Sequence, residues 1–400
     1  MINPSNFGWI DKFFSEQKFT ADFLKETPLS YYLKVRSTGF IYGHIIGFET
    51  PKPIIAKGWF KTEISKIALL NTLFGMYALT EKSVDHKDFI TKALHFYQQM
   101  NPEGFNLFKL ILPKNSDALT LENIINERVQ TNDSLINKSF SHLVTNALLF
   151  IDVLAFRSYL IHGELPEKYF KKIEETVMSL VAIALKTKTI KSIHDDLLIK
   201  LFEASIRYSK FSKATVETIE TLQFDYFTNE LEYYYFIDMA GMALWSDGKV
   251  ENEEAYFLYS LAKVIQVSDE FAAISITDTD AFITEHRKKI PYFNYSNPVK
   301  HFYDQTTKNV ITLVTRNKNR LVKEVMESKE LMVLLAYSTV RDLDPKEKKK
   351  VRRQLLDICK TIPSLTIFLL PGGSLLLPIL IKFIPQLLPS SFNENLDDSE

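Results

Sequence analysis

Apolar side chains recur every three or four residues along most of this chain, which is the spacing of one face of an α-helix. The pattern is clearest after residue 60, where it predicts helices over residues 64–78, 89–97, 120–129, 141–161, 166–188 and 197–208. Residues 130–137 predict a polar loop. The first sixty residues are less regular and predict only two short amphipathic helices, over residues 7–14 and 19–24. The chain as a whole therefore predicts an all-α protein.

The helix predicted over residues 141–161 is apolar enough to raise the question of a membrane span. Asp152 and Arg157 argue against it, because a charged side chain facing lipid is costly. We therefore predict a central helix of a soluble core at this position. The polar residues 209–215 predict a first boundary between domains.

A second informative pattern, two apolar helices joined by an acidic turn, lies after residue 230. The turn reads Ser-Asp-Gly-Lys-Val-Glu-Asn-Glu-Glu over residues 246–254. This arrangement resembles the TerB-like helical domain of tellurite-resistance proteins, over residues 230–335. The resemblance implies weak candidate metal ligands at Asp247, Glu253 and Glu254.

The same acidic turn has a purely structural interpretation, which we favour. Gly248 is suited to end a helix in the left-handed conformation. Glutamates that follow it stabilise the positive end of the next helix. An EF-hand is excluded, because the Asp-x-Asp-x-Asp-Gly spacing of its loop is missing.

The longest apolar stretch runs from Thr361 to Phe392, and Lys382 is its only charged residue between Ile362 and Leu388. As one helix, that stretch would reach about 40 Å, more than the ~30 Å core of a bilayer. It is also rich in residues that interrupt helices or turn the chain: Pro363, Pro371, Gly372, Gly373, Ser374, Pro378, Pro385 and Pro389.

Three shapes are open for this proline-rich segment. They are a kinked helix that spans the membrane, a re-entrant hairpin broken at residues 371–374, and a hairpin buried in a helical bundle. A proline inside a helix removes a backbone donor and frees the carbonyl four residues earlier. We expect the kinked spanning helix, in which protein or water satisfies the freed carbonyls.

Charge on either side of the segment predicts its orientation. Residues 341–360 hold eight Lys/Arg and four Asp/Glu, whereas residues 393–400 form an acidic tail with a net charge of −4. Positive charge next to a span stays on the cytoplasmic side. The prediction is a cytoplasmic body with the tail on the far side. The alternative is that the basic run is simply the solvated face of a helix.

The residues before and within the segment resemble the Letm family, inner-membrane proteins of mitochondria and their bacterial relatives. Asp344-Pro-Lys-Glu347 predicts a capped helix start. A basic turn follows, with Lys348, Lys349, Lys350, Arg352 and Arg353, and then the spaced prolines. The resemblance covers residues 341–392 and implies a membrane-associated protein.

In that family a ribosome-binding-like domain, an EF-hand and a coiled coil follow the segment. Because the chain ends eight residues after Phe392, we expect these parts to be absent. Short Letm-related bacterial proteins of this layout are linked to biofilm formation, which the resemblance therefore implies here.

Composition excludes several classes of function. The net charge of −1 gives no overall field to recruit DNA. The single cysteine, Cys359, excludes an internal disulfide and a thiolate zinc site. No phosphate-binding glycine loop, His-Glu-x-x-His or nucleophile elbow occurs, and no signal peptide is evident. We predict no enzyme activity, no cofactor and no small-molecule substrate.

The predicted architecture is a multi-helix bundle with an N-terminal helical region (1–225), a TerB-like domain (226–340), a Letm-like segment (341–392) and the acidic tail (393–400). The leading hypothesis is a membrane-associated protein on the cytoplasmic side of a bacterial inner membrane, with a role in biofilm or envelope physiology or cation homeostasis. One alternative is a cytoplasmic helical scaffold that buries the segment in its core. The other is a ribosome-associated adaptor.

Overall fold

The structure is a computed structural model that describes residues 2–20, 26–100, 116–134, 140–166, 168–188, 191, 196, 199–200, 202–203, 218–245, 250–290, 298–362, 365, 368 and 376–387. Every regular element in these ranges is helical and no strand occurs among them. The all-α prediction is therefore confirmed for the described part of the chain.

In the described ranges, seven helices precede residue 190. They are α1 (Trp9–Gln17), α2 (Pro28–Ser37), α3 (Lys61–Glu81), α4 (His86–Gln99), α5 (Asp117–Ser134), α6 (Phe140–His162) and α7 (Tyr169–Thr187). Five of the predicted stretches are thus helices: α3, α4, α5 and α6 extend beyond their apolar stripes, whereas α7 is shorter than the predicted 166–188. The loop predicted from residue 130 is wrong up to Ser134, because α5 continues that far; residues 135–137 lie outside the described ranges.

Eight more helices follow residue 229 in the part of the chain that the structure describes. They are α8 (Glu230–Leu244), α9 (Asn252–Val264), α10 (Asp269–His286), α11 (Pro298–Arg316), α12 (Lys318–Glu327), α13 (Lys329–Val340), α14 (Pro345–Thr361) and α15 (Leu377–Phe383). Short 3-10 turns lie at Ile219–Thr221, Phe224–Tyr226 and Pro385–Leu387. The predicted boundary at residues 209–215 lies outside the described ranges.

The first core is built on α3 and α6, and it extends to residues of α8, α9 and α10. From Leu149 to Phe156 every side chain of α6 is fully buried, including that of Asp152. This confirms α6 as a central core helix. The first core also joins residues from both sides of the predicted boundary between residues 225 and 226, while the domain boundaries themselves stay a prediction.

A second core lies in the C-terminal part of the chain. It combines α11 to α15 with one side of α7, which contributes Met178, Ala182 and Leu185. The opposite side of α7 carries Ile173, Val177 and Leu180 into the first core. α7 is therefore apolar on two sides, and it joins the part of the chain that holds the first core to the part that holds the second.

Candidate functional site: a basic helix beside the proline-rich segment

The start of α14 is fixed by its own first residues. Asp344 accepts hydrogen bonds from the backbone N–H groups of Lys346 at 2.7 Å and Glu347 at 2.8 Å. In return, Glu347 accepts from the backbone N–H of Asp344 at 2.8 Å. Pro345 occupies the first helical position, where no amide hydrogen is needed. The predicted capped start is confirmed.

The two sides of α14 differ completely. One side, with Val351, Leu355, Ile358 and Cys359, is buried in the second core. The other side carries four solvent-exposed cations at helical spacing, which we call the basic face: Lys346, Lys349, Lys350 and Arg353. Packing of the apolar side therefore holds these charges in one fixed row facing the solvent.

The five predicted basic residues do not all contribute to this face. Lys348 is only half exposed, and Arg352 is half buried toward α7. Burial lowers the pKa of the Arg352 guanidinium, while Glu174 and Glu175 of α7 oppose that shift. Lys350 donates to Glu330 of α13 at 2.6 Å. Sequence reasoning missed Lys346, although its spacing from Lys349, Lys350 and Arg353 could have revealed it.

Positive charge continues onto the neighbouring helix α12. Its Lys318, Arg320 and Lys323 are exposed, and the Arg320 guanidinium donates to the backbone carbonyl of Thr361 at 2.6 Å. Residues 298–387 hold sixteen Lys/Arg and eight Asp/Glu, a net charge of +8 in a chain whose total is −1. Residues 298–387 are therefore a strongly basic region in an otherwise acidic chain.

The described end of the proline-rich segment is packed inside the protein. Leu377, Ile379, Leu380 and Ile381 of α15 are at most 4% exposed, and they belong to the second core with residues of α11 and α14. Lys382 alone among the predicted site residues of α15 is exposed to solvent. For this part of the segment, the buried arrangement among the three predicted shapes is the one observed.

The described prolines begin elements instead of kinking one long helix. Pro378 lies in the first turn of α15, where a missing amide hydrogen costs nothing, and Pro385 begins the last 3-10 turn. Across the described ranges no helix is both long enough and apolar enough to cross a bilayer. In place of the expected kinked spanning helix, residues 376–387 form a short helix and a 3-10 turn that pack in the second core. The other predicted residues, Pro363, Pro371, Gly372, Gly373, Ser374 and Pro389, lie outside the described ranges.

The acidic turn between α8 and α9 serves the start of α9 in its described part. Glu254 is buried and accepts a hydrogen bond from the backbone N–H of Glu251 at 2.8 Å, while Glu253 is exposed in the first turn. This is the structural role that the sequence favoured for these glutamates. Asp247 and Gly248 lie outside the described ranges.

Residues 343–400 match the family model described as "LETM1-like, RBD". The C-terminal part of this chain is LETM1-related. The match begins just before the Asp344 cap and includes the basic helix and the proline-rich segment, so it confirms the relationship that the proline spacing indicated. The model's description includes "RBD", so the expectation that this part of the family is absent from the chain is not supported for residues 343–400. No curated protein and no solved structure matches the chain.

In the described part of this region, α14 and α15 thus combine a basic outer face with an apolar interior. Burial raises the pKa of the Cys359 thiol to about 12, which keeps this side chain neutral and unreactive inside the second core. The basic face and α12 present most of the exposed positive charge that a partner can reach on this side of the second core. Such an arrangement is suited to binding an anionic surface through electrostatic attraction.

Proposed function

We propose that this protein is a non-enzymatic, membrane-associated relative of the LETM1-like proteins, held at an anionic membrane surface by its C-terminal helical unit. The observation that carries the proposal is the basic face of α14, four exposed cations in a row on a helix whose other side is fixed in the second core. Each Lys or Arg near an anionic bilayer contributes about 1 kcal/mol to binding. The proposed location is the cytoplasmic side of a bacterial inner membrane.

The proposed attachment is peripheral. The described residues of the proline-rich segment are buried in the second core. We therefore expect the charges of the basic face, and not insertion of these residues, to hold the protein at the membrane. Electrostatic attachment weakens with salt, because the Debye length falls from about 10 Å at 0.1 M to about 3 Å at 1 M. Release from isolated membranes by high salt or by alkaline carbonate is therefore the expected result.

The decisive experiment compares the full chain with a variant carrying Lys346→Glu, Lys349→Glu and Arg353→Glu. Binding to vesicles of phosphatidylcholine mixed with phosphatidylglycerol should fall by on the order of 100-fold or more. A matched control reverses three exposed lysines on α1, α4 and α9, namely Lys12, Lys87 and Lys263, and should bind nearly as the unmodified chain does.

The outcomes separate the hypotheses. Equal loss in both triple variants would mean that only net charge matters and would overturn the role of the basic face. A chain that resists carbonate extraction would overturn peripheral attachment and restore a spanning segment. A chain that never enters the membrane fraction would favour the cytoplasmic scaffold, in which α15 serves only as core.

The same basic face supports a second candidate function, a ribosome-associated adaptor. The description of the matched family model includes "RBD", and proteins of the family that this chain resembles carry a ribosome-binding-like domain. Contacts between Lys or Arg and RNA phosphates would make such binding steeply dependent on salt. Co-sedimentation with purified ribosomes should then weaken as salt rises and disappear in the α14 variant. Ribosome binding that the α14 variant retains would count against this candidate.

Biofilm or envelope physiology and cation homeostasis are the processes that the family resemblance implies. Complementation of a deletion strain tests them together with the site. If attachment through α14 serves either process, the unmodified gene should restore it and the triple α14 variant should not. Full rescue by the α14 variant would separate the process from the basic face.

A further inference from the structure

A second surface with a membrane-like chemistry lies at the opposite end of the sequence. Residues 51–62, which we call the 51–62 loop, lead into α3 and expose large apolar side chains. Ile55 is 74% exposed and Phe60 is 72% exposed. Most of the other large apolar side chains in the described ranges are buried. Two exposed ones in one short loop therefore indicate a binding surface.

A tight turn lies in the middle of the loop. The backbone N–H of Trp59 donates to the carbonyl of Ala56 at 3.1 Å, which closes a four-residue turn. Gly58 occupies the third position of that turn with φ of +87°, a value that a type II turn requires and that glycine adopts freely. Lys57 and Gly58 are therefore the central residues of this turn, and both are exposed.

Alternate side chains hold the loop in place. Ile54 and Trp59 are partly buried and pack against the first core, with the ring centroids of Trp59 and Phe48 6.4 Å apart. Their neighbours Ile55 and Phe60 face the solvent. Because one residue of each pair is anchored, the exposed residue of the pair is held outward even without a partner.

Hydrogen bonds fix both ends of the loop. The backbone N–H of Lys52 donates to the Gln17 side chain of α1 at 3.0 Å. At the other end, Glu63 accepts from the backbone N–H of Phe60 at 2.7 Å and from the Ser5 hydroxyl at 2.5 Å. The same carboxylate therefore connects the loop to Ser5. Phe7, two residues after Ser5, is 79% exposed.

The charge of the loop has a single sign. Lys52, Lys57 and Lys61 are the only charged residues between positions 51 and 62, and all three are exposed. They alternate with Ile55 and Phe60, so cationic and apolar side chains share one small surface. Apolar and aromatic side chains enter the boundary between headgroups and acyl chains, while lysines remain at the level of the phosphates.

We propose that the 51–62 loop binds the surface of an anionic lipid bilayer, with Ile55 and Phe60 inserted at the interface and the three lysines on lipid phosphates. The inference rests on the proposed function only in taking an anionic membrane as the partner, because the residues of the loop are different from those of the basic face. A second copy of the chain is a poorer fit, because a stable protein interface needs about 800 Å² on each side, and three like charges would face their own copies.

Fluorescence quenching by brominated lipid tests this contact directly in the full chain. Trp9 and Trp245 are at most 4% exposed, so quenching by bromine, which acts only at short range, reports on the partly exposed Trp59 next to the inserted Phe60. Vesicles of brominated phosphatidylcholine mixed with phosphatidylglycerol should quench the emission, and Trp59→Phe should remove the quenching. Vesicles without the anionic lipid should quench far less.

Two variants locate the binding energy. Replacing Ile55 and Phe60 with serine should weaken vesicle binding by at least about tenfold, and Phe60→Ser preserves the helix start because serine is a favourable N-cap. Replacing the three lysines with glutamine should weaken it about fivefold for each lysine. The matched control is Tyr256→Ser on α9, which removes an aromatic side chain that is 75% exposed elsewhere.

Comparison with the α14 charge variant keeps the two proposals distinguishable. Quenching that persists in the α14 variant and disappears with the loop serines supports the loop contact even if the α14 proposal fails. The inference is overturned if vesicle binding requires α14, is unchanged in both loop variants and produces no quenching. That result would leave the proposed function standing. Light scattering provides a further test. A doubled mass that is lost when Ile55 and Phe60 are replaced with serine would assign the surface to a second copy of the chain and would also overturn the inference.

Discussion

Arg128 of α5 and Asp152 of α6 form a two-pronged ion pair inside the first core. The Arg128 Nε and Nη2 atoms donate to the two carboxylate oxygens at 2.8 and 2.7 Å. Both side chains are at most 2% exposed, and the Tyr97 hydroxyl lies 3.4 Å from the same carboxylate. This pair explains how α6, a helix apolar enough to suggest a membrane span, carries an acidic residue at its centre.

Breaking that pair should destabilise the first core strongly. Asp152→Leu leaves the Arg128 guanidinium buried without its counter-charge, and the free energy of unfolding should fall by about 3–5 kcal/mol. The double variant Arg128→Met with Asp152→Leu removes both charges and should lie close to the unmodified protein. Urea denaturation measures all three. A double variant as unstable as Asp152→Leu alone would show that packing, and not the unpaired charge, sets the cost.

Gly39 after α2 should tolerate no side chain. Its φ is +79°, and an added Cβ would lie 2.0 Å from the backbone oxygen of His44, which only a backbone shift can relieve. Gly39→Ala should lower the free energy of unfolding by at least about 3 kcal/mol. Gly163 after α6 is the matched control, with φ of +77° and open space around it, so Gly163→Ala should cost only about 1–2 kcal/mol. Equal losses in thermal or urea unfolding would contradict the predicted backbone collision.

Cys359 should report directly on whether α15 belongs to the protein interior. The buried thiol should resist alkylation at neutral pH, because its pKa is raised to about 12 and only opening of the second core exposes it. Leu380→Ala removes a fully buried side chain of α15 and should speed alkylation by about 30-fold or more. Lys382→Ala, on the exposed side of the same helix, should change it little. Identical alkylation of the two variants would mean that α15 does not pack in this core.

Glu347 should make the start of α14 sensitive to acid. Hydrogen bonds from Arg341, at 2.7 and 2.8 Å, and from the backbone N–H of Asp344 lower the pKa of this carboxyl to about 2 from its usual 4.5. Because the folded pKa is the lower one, the contribution of Glu347 to stability is complete above pH 4.5 and is lost as the pH falls toward 2. Urea unfolding of the protein and of Glu347→Gln should therefore differ above pH 4.5 and converge near pH 2. A difference that does not change with pH would contradict the cap.

Local features were predictable from the residues alone. Helical periodicity located α3, α4, α6 and α7, because the core side of a helix repeats with the helix itself. The start of α14 was also predictable, because Asp344, Pro345 and Glu347 form its cap within four residues of sequence. The spacing of the prolines likewise indicated the LETM1 relationship, which the family match at residues 343–400 supports.

The surroundings of each helix were decided by tertiary structure. An apolar run such as residues 361–392 has a length and a charge content that suit a bilayer as well as a protein core. Only the neighbouring α11, α13 and α14 determined that its described part lies in protein. In the same way, the orientation of α14 selected which lysines face solvent and turned Arg352 toward α7. Periodicity describes one helix at a time, whereas burial and charge pairing depend on chain segments that are distant in sequence, as Arg128 and Asp152 or the loop anchored by Glu63 illustrate.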